Sequence, residues 1–137
     1  MKVILNITFV IALGTVYAQH SFSSNQFVIY NMESKEVVGS EEKTQTFNIS
    51  FTDSMMIHNI FNEEHHISDS QIYRITNIEE KEDLILFSTL SGISGNTYFY
   101  AINFKEDAKT LVQLFQDDHS MFLFEGNHSP MKTFNQP

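Results

Sequence analysis

The sequence predicts an all-β domain, an antiparallel meander of about eight strands that forms a curled sheet or a small up-and-down barrel. Short runs of β-formers alternate apolar and polar residues along the chain, and acidic or glycine-containing breaks separate them. Two consecutive runs, 84–90 and 97–104, are apolar on both faces. Because such strands lie in the middle of a structure, we expect a closed barrel or two packed sheets rather than one flat sheet.

The first residues have the layout of a secretory signal peptide. Lys2 gives a positive start, an apolar stretch follows to Gly14, and the segment ends in Val16, Tyr17 and Ala18. A membrane-spanning helix needs roughly 20 apolar residues, more than this interrupted stretch supplies. We therefore predict a signal peptide over 1–18 that is cleaved after Ala18, no membrane span after cleavage, and a secreted or periplasmic protein.

Composition limits the partners and the means of stabilisation. The chain has 17 acidic and 8 basic residues and a formal net charge of −9. Such a charge argues against nucleic acid as a partner, because nucleic acid is also negative. The chain has no cysteine, so a single domain over 19–126 must be stabilised by its apolar core, to which 13 phenylalanines contribute. Both prolines lie in 127–137, which we predict to be a flexible C-terminal tail.

The candidate strands follow one another at short intervals. The run 44–51 shows the pattern best, since Phe47, Ile49 and Phe51 point to one side and polar residues to the other. Helical spacing of Leu111 and Leu114 competes in 105–118, but the short run 110–116 favours a strand. The predicted strands cover 26–31 with 35–38, 44–51, 55–61, 71–78, 83–90, 97–104, 110–116 and 120–125.

Acidic pairs occupy nearly every break between these runs. Aspartate and glutamate are poor strand formers and suit solvated turns. Short connections favour antiparallel neighbours over strand–helix–strand units. The pairs that predict turns are Glu41-Glu42, Glu63-Glu64, Glu79-Glu80, Glu106-Asp107 and Asp117-Asp118.

In size and strand number the predicted domain resembles the lipocalin-type architecture of small secreted binding proteins. The Gly-x-Trp start of lipocalins is missing, because the chain contains no tryptophan. The resemblance therefore concerns architecture alone.

Aromatic residues of the run 97–104 are the candidate ligand-binding residues. In a barrel, Tyr98, Phe99 and Tyr100 could line a cavity for an apolar ligand. The same rings could instead fill the core of a domain that has no disulfide. Tyr98 and Tyr100 share one face of the strand, and their hydroxyls need hydrogen-bond partners or access to water.

The densest polar cluster is a candidate metal site. Glu63, Glu64, His65 and His66 carry side chains that bind zinc and similar ions. No fixed motif such as His-Glu-x-x-His is present, and an exposed acidic turn explains the cluster equally well.

Nucleophilic catalysis has no recognisable motif. The glycines and serines of 91–95 lack the Gly-x-Ser-x-Gly spacing of common serine hydrolases, and cysteine catalysis is excluded by composition.

The sequence favours a non-catalytic binding or interaction domain without a cofactor. Its partner would be an unknown protein or a small apolar ligand, bound at a barrel mouth, on a sheet surface or along an edge strand. A metal-binding protein that uses the Glu63–His66 loop and a small secreted hydrolase are the two alternatives.

Overall fold

A computed structural model describes residues 19–81, 84–103, 110–115 and 119–130, and the predicted signal segment lies outside them. Eight antiparallel strands pair in sequence order, and the last strand pairs with the first to close a barrel. The predicted all-β class and meander order are confirmed. The strands are β1 (Gln19–Asn31), β2 (Glu36–Ser50), β3 (Met55–Phe61), β4 (Ile67–Lys81), β5 (Leu84–Ser91), β6 (Thr97–Asn103), β7 (Thr110–Phe115) and β8 (Ser120–Pro130).

Several strands are longer than the sequence pattern predicts. The acidic pairs Glu41-Glu42 and Glu79-Glu80 were expected to break strands, but they lie within β2 and β4. All four side chains are exposed, so their carboxylates stay hydrated while their backbones join the ladder. Likewise β8 continues past 126 to Pro130, because its backbone pairs with β1 as far as His20. Residues 131–137 of the predicted tail lie outside the described part of the chain.

The barrel interior is filled by large side chains that alternate along each strand. Phe47 lies at its centre, where its ring centroid is 4.2 Å from His58, 4.9 Å from Phe124 and 6.4 Å from both Phe22 and Tyr100. All five side chains are buried. Aromatic pairs at these separations stabilise a core beyond the area that they bury. Among the described residues five phenylalanines are buried in this core, which has no disulfide to support it: Phe22, Phe27, Phe47, Phe87 and Phe124.

Tight turns join β1 to β2, β2 to β3 and β3 to β4, and single residues with positive φ close them. Lys35, Ser54 and His65 have φ values of 60°, 54° and 64°, and each lies one or two residues before a strand. The conformation is left-handed, which costs energy in residues that have a Cβ. At Asn31 and Asn62 the side-chain Oδ1 accepts two backbone N–H bonds of the following turn. These side chains compensate for the strained turn backbone.

A β-bulge in β1 brings the backbones of β1 and β8 unusually close together. The register between the strands shifts between Ser24 and Gln26, and Gly126 lies opposite Ser24. The buried hydroxyl Oγ of Ser24 lies 2.7 Å from the carbonyl oxygen of Glu125, across the strand pair. A Cβ atom added to Gly126 would lie 1.7 Å from the carbonyl oxygen of Ser23. Only glycine fits at this point of barrel closure.

The close approach predicts that Gly126→Ala destabilises the fold by about 1–3 kcal/mol, because the β1 backbone must move to admit the methyl group. The free energy of unfolding in urea measures the change. Gly39→Ala is the matched control, since its added Cβ meets its nearest atom at 3.6 Å, an ordinary contact. Equal stability of Gly126→Ala and Gly39→Ala would contradict the prediction.

Candidate binding surface

Polar side chains inside the barrel bond to one another rather than facing an open space. Three inward-pointing glutamines each make a hydrogen bond to a ring-bearing residue on the same or a neighbouring strand. The pairs are His58 Nε2 donating to Gln45 Oε1 at 2.7 Å, Gln113 Nε2 donating to the Tyr100 hydroxyl at 2.9 Å, and the Tyr73 hydroxyl donating to Gln71 Oε1. Buried polar groups that are paired in this way support a filled interior.

These interior groups are uncharged at neutral pH. Burial lowers the pKa of His58 to about 4, an effect that Asp69 opposes and Lys43 reinforces. Burial, with smaller contributions from Tyr98 and Asp69, raises the pKa of Tyr73 to about 12, and burial also raises the pKa of Tyr100. The interior therefore has no need of a counter-ion, but it is not fully satisfied, because Gln45 Nε2 is buried and has no hydrogen-bond partner among the described residues.

The three predicted ligand-binding residues do not share one face. Tyr98 and Tyr100 point into the barrel, where Tyr98 lies against Tyr73 and Tyr100 against Phe87. Phe99 lies on the outside and is 38% exposed. The alternation of a β-strand requires this separation. The two tyrosines belong to the packed interior, and Phe99 belongs to the outer wall.

The predicted metal-binding residues lie in the exposed turn between β3 and β4. His66 Nδ1 is 3.7 Å from Glu64 Oε2, and their side chains are 75% and 81% exposed. His65 holds the positive φ of the turn. Nowhere among the described residues do three or more histidine, aspartate or glutamate side chains converge so that they could hold a metal ion. The structure thus places these four residues in a solvated turn.

An apolar face covers the outside of the barrel from β5 through β8 to β1. Each strand contributes outward-pointing residues, and the strand register sets them side by side in two rows. We call this surface the outer apolar face. One row consists of Leu86, Ala101, Val112, Leu123 and Val28, and the other of Phe99, Leu114, Met121 and Tyr30.

A groove of about 240 Å³ lies where the outer apolar face meets β4. A second bulge causes it, because the register between β4 and β5 shifts between Ile75 and Asn77. Beyond the bulge, Asn77 lies opposite Ser88, a small side chain that separates it from Phe99 on β6. The groove is lined by Asn77, Glu79, Leu86, Phe87, Ser88, Phe99, Tyr100 and Leu114.

The opposite wall, on β2 to β4, is mainly polar. Its cross-strand row of Thr46, Asn59 and Ser70 is hydrophilic, and Ser70 Oγ donates to Asn59 Oδ1 at 2.7 Å. Ile72 on this wall is 53% exposed and lies beside Ile57. Met55, Ile57 and Ile72 form a smaller apolar group on this wall than the outer apolar face, whose two rows cross five and four strands.

Comparison with known proteins gives no relative. The chain matches no protein-family model, and no curated protein matches it in sequence. Within the part of the chain that the structure describes, no helix is long and apolar enough to cross a membrane. Any proposal for its function therefore rests on the geometry of the chain itself.

Sequence reasoning noticed the apolar residues of both strand faces at 84–90 and 97–104 but assigned both faces to the interior. The prediction did not recognise that the row of outward-pointing apolar residues continues on the neighbouring strands. The continuing residues are Val112, Leu114, Met121 and Leu123. This series becomes a surface only once the register is known.

The buried His58 predicts that the fold loses stability in mild acid. Its pKa of about 4 in the folded chain lies below the ordinary value of 6.5, so the unfolded chain takes up the proton first as pH falls. The stability that depends on neutral His58 is complete above pH 6.5 and is lost progressively toward pH 4, by about 3 kcal/mol. Urea unfolding at a series of pH values measures it.

Two variants test whether His58 causes this pH dependence of stability. His58→Gln should have lower stability at pH 7 but a flatter decline between pH 6.5 and 4, while His65→Gln in the exposed turn should decline as the wild type does. A decline that is unchanged in His58→Gln would assign the effect to other groups.

Proposed function

We propose that this protein is a non-catalytic binding domain that docks a partner protein through its outer apolar face. The observation that carries the proposal is the two adjacent rows of apolar side chains, which cross five and four strands and are covered by no other described element. Apolar patches of a few hundred square ångströms on monomeric proteins are often interaction sites.

The packed interior favours the outer wall over the barrel interior as the binding site. Inward-pointing apolar side chains such as Phe22, Phe47 and Ile102 are at most 1% exposed, so they offer no apolar surface to a ligand. Two polar pairs, His58 with Gln45 and Gln113 with Tyr100, also occupy the interior, where Gln45 Nε2 is a buried donor without a partner among the described residues. A small apolar ligand in the barrel is therefore a weaker candidate than a protein on its outside.

The titratable side chains inside the barrel also favour a binding function over a catalytic one. General acid–base groups work best with a pKa near the working pH. His58 and Tyr73 have pKa values of about 4 and about 12, which keep His58 neutral and Tyr73 protonated at pH 7. With the signal segment predicted over 1–18, we propose that the partner is met in the periplasm or outside the cell.

Docking on this face predicts a clear difference between the two walls of the barrel. A photo-crosslinking amino acid at Val112 should join the protein covalently to its partner in the producing cells, and the same group at Ile72 should not. The partner, identified by mass spectrometry and purified, is then titrated by calorimetry against variants. Leu114→Asn should weaken binding tenfold or more, because it puts an amide into the contact.

The matched control is Ile72→Asn, which makes a comparable change at the exposed aliphatic residue of the other wall and should bind as the wild type does. Circular dichroism confirms that both variants fold. Adducts that form equally at Val112 and Ile72, or wild-type affinity of Leu114→Asn, would refute docking on the outer apolar face.

A further inference from the structure

The dimensions of the outer apolar face match one segment of a partner chain. Five strands about 4.8 Å apart span about 20 Å, and two rows of side chains about 7 Å apart give roughly 300 Å². A stable dimer of folded domains needs about 800 Å² on each partner. These five of the eight barrel strands curve around about half of the circumference, so one amphipathic helix, about 10 Å in diameter, covers the part of the face beside the groove and not the whole of it.

Carboxylates border the face. Glu79 lies beside Leu86, and Glu125 lies one row away from Leu123 on β8. Glu42 continues the border, since it pairs with Gln26, whose side-chain amide donates to Glu125 Oε2 at 2.8 Å. A second copy of the chain would bring these borders together and would add to the repulsion between two chains of net charge −9. Charge complementarity therefore favours a basic partner over a second copy of this chain.

We propose, as a refinement that rests on the proposed function, that the face binds a basic amphipathic segment of another protein, with a lysine or arginine side chain in the groove beside Glu79. The groove has two chemically different sides. Leu86, Phe99 and Leu114 are apolar, whereas Glu79 and Asn77 offer oxygen acceptors. Lysine and arginine combine an aliphatic stem with a charged end and fit such a lining in one orientation.

Lys81 lies next to the proposed charge site. Its Nζ is 3.6 Å from Glu79 Oε1, and both side chains are more than half exposed. Exposed pairs of this kind contribute little to the stability of a fold, so a partner's basic side chain can replace or share the contact at little cost. The aromatic ring of Phe99 lines the same groove and can attract the cation through its face.

Two synthetic peptides of about 18 residues test the proposal. Both place leucine at helical spacing on one face. In the first peptide the other face is lysine, and in the second it is glutamine. Fluorescence anisotropy of labelled peptides with the purified chain from residue 19 gives the dissociation constants. We expect the lysine peptide to bind at least tenfold more tightly than the glutamine peptide at low salt, and the difference to shrink as salt rises.

Glu79→Gln removes the groove charge and keeps the shape of the side chain. It should weaken the lysine peptide about two- to fivefold and leave the glutamine peptide unchanged. The control Glu64→Gln removes the same charge from the turn between β3 and β4 and should bind both peptides as the wild type does. Leu114→Asn should weaken both peptides.

The outcomes separate this refinement from the proposed function. If both peptides bind equally and Glu79→Gln has no effect while Leu114→Asn weakens both, the face is a docking surface but the basic segment is wrong. If Leu114→Asn changes neither peptide, the docking surface itself is refuted. Sedimentation that shows a dimer dissociated by Leu114→Asn would assign the face to a second copy and overturn the basic segment.

Discussion

Pairing of β1 with β8 is the constraint on which the rest of the structure depends. It closes the meander, so that every strand has a neighbour on both sides and the sheet has no edge among the described strands. Recognition by edge-strand pairing, one of the mechanisms predicted from sequence, is therefore wrong for the closed barrel. The contact is close enough to exclude a side chain at Gly126, and Ser24 fills the bulge that accommodates it. Any partner must then bind to a wall or an end of the barrel.

Closure also determines the chemistry of the interior. The inward-pointing side chains of the strands pack around Phe47. Polar side chains are accommodated among them where they form hydrogen bonds with one another. His58 shows the balance, because its ring stacks on Phe47 while Nε2 donates to Gln45. Burial holds it neutral by lowering its pKa. The interior acts as a structural core in which polar pairs fix the geometry.

The sequence predicts the class, the strand order and the inward alternation, because all three follow from local period-two patterns. Strand lengths were underestimated at Glu41-Glu42 and Glu79-Glu80, since exposed acidic side chains do not prevent backbone pairing within a closed barrel. Of the residues that line the groove, the sequence predicts a binding role for Phe99 and Tyr100, but it groups Phe99 with the inward-pointing tyrosines. Glu79 could not be recognised, because a bulge between Ile75 and Asn77 sets its position relative to Leu86.

The two-sided apolar character of β5 and β6 has different causes on the two faces. Inside, it fills a core that no disulfide supports, which explains Phe87 and Tyr100. Outside, the fold needs no apolar side chains, as the hydrophilic row on β2 to β4 shows. Stability therefore does not account for Phe99, Leu114 and their neighbours, which expose apolar area to water in the free protein. A partner that covers this surface, as we propose, would account for these side chains.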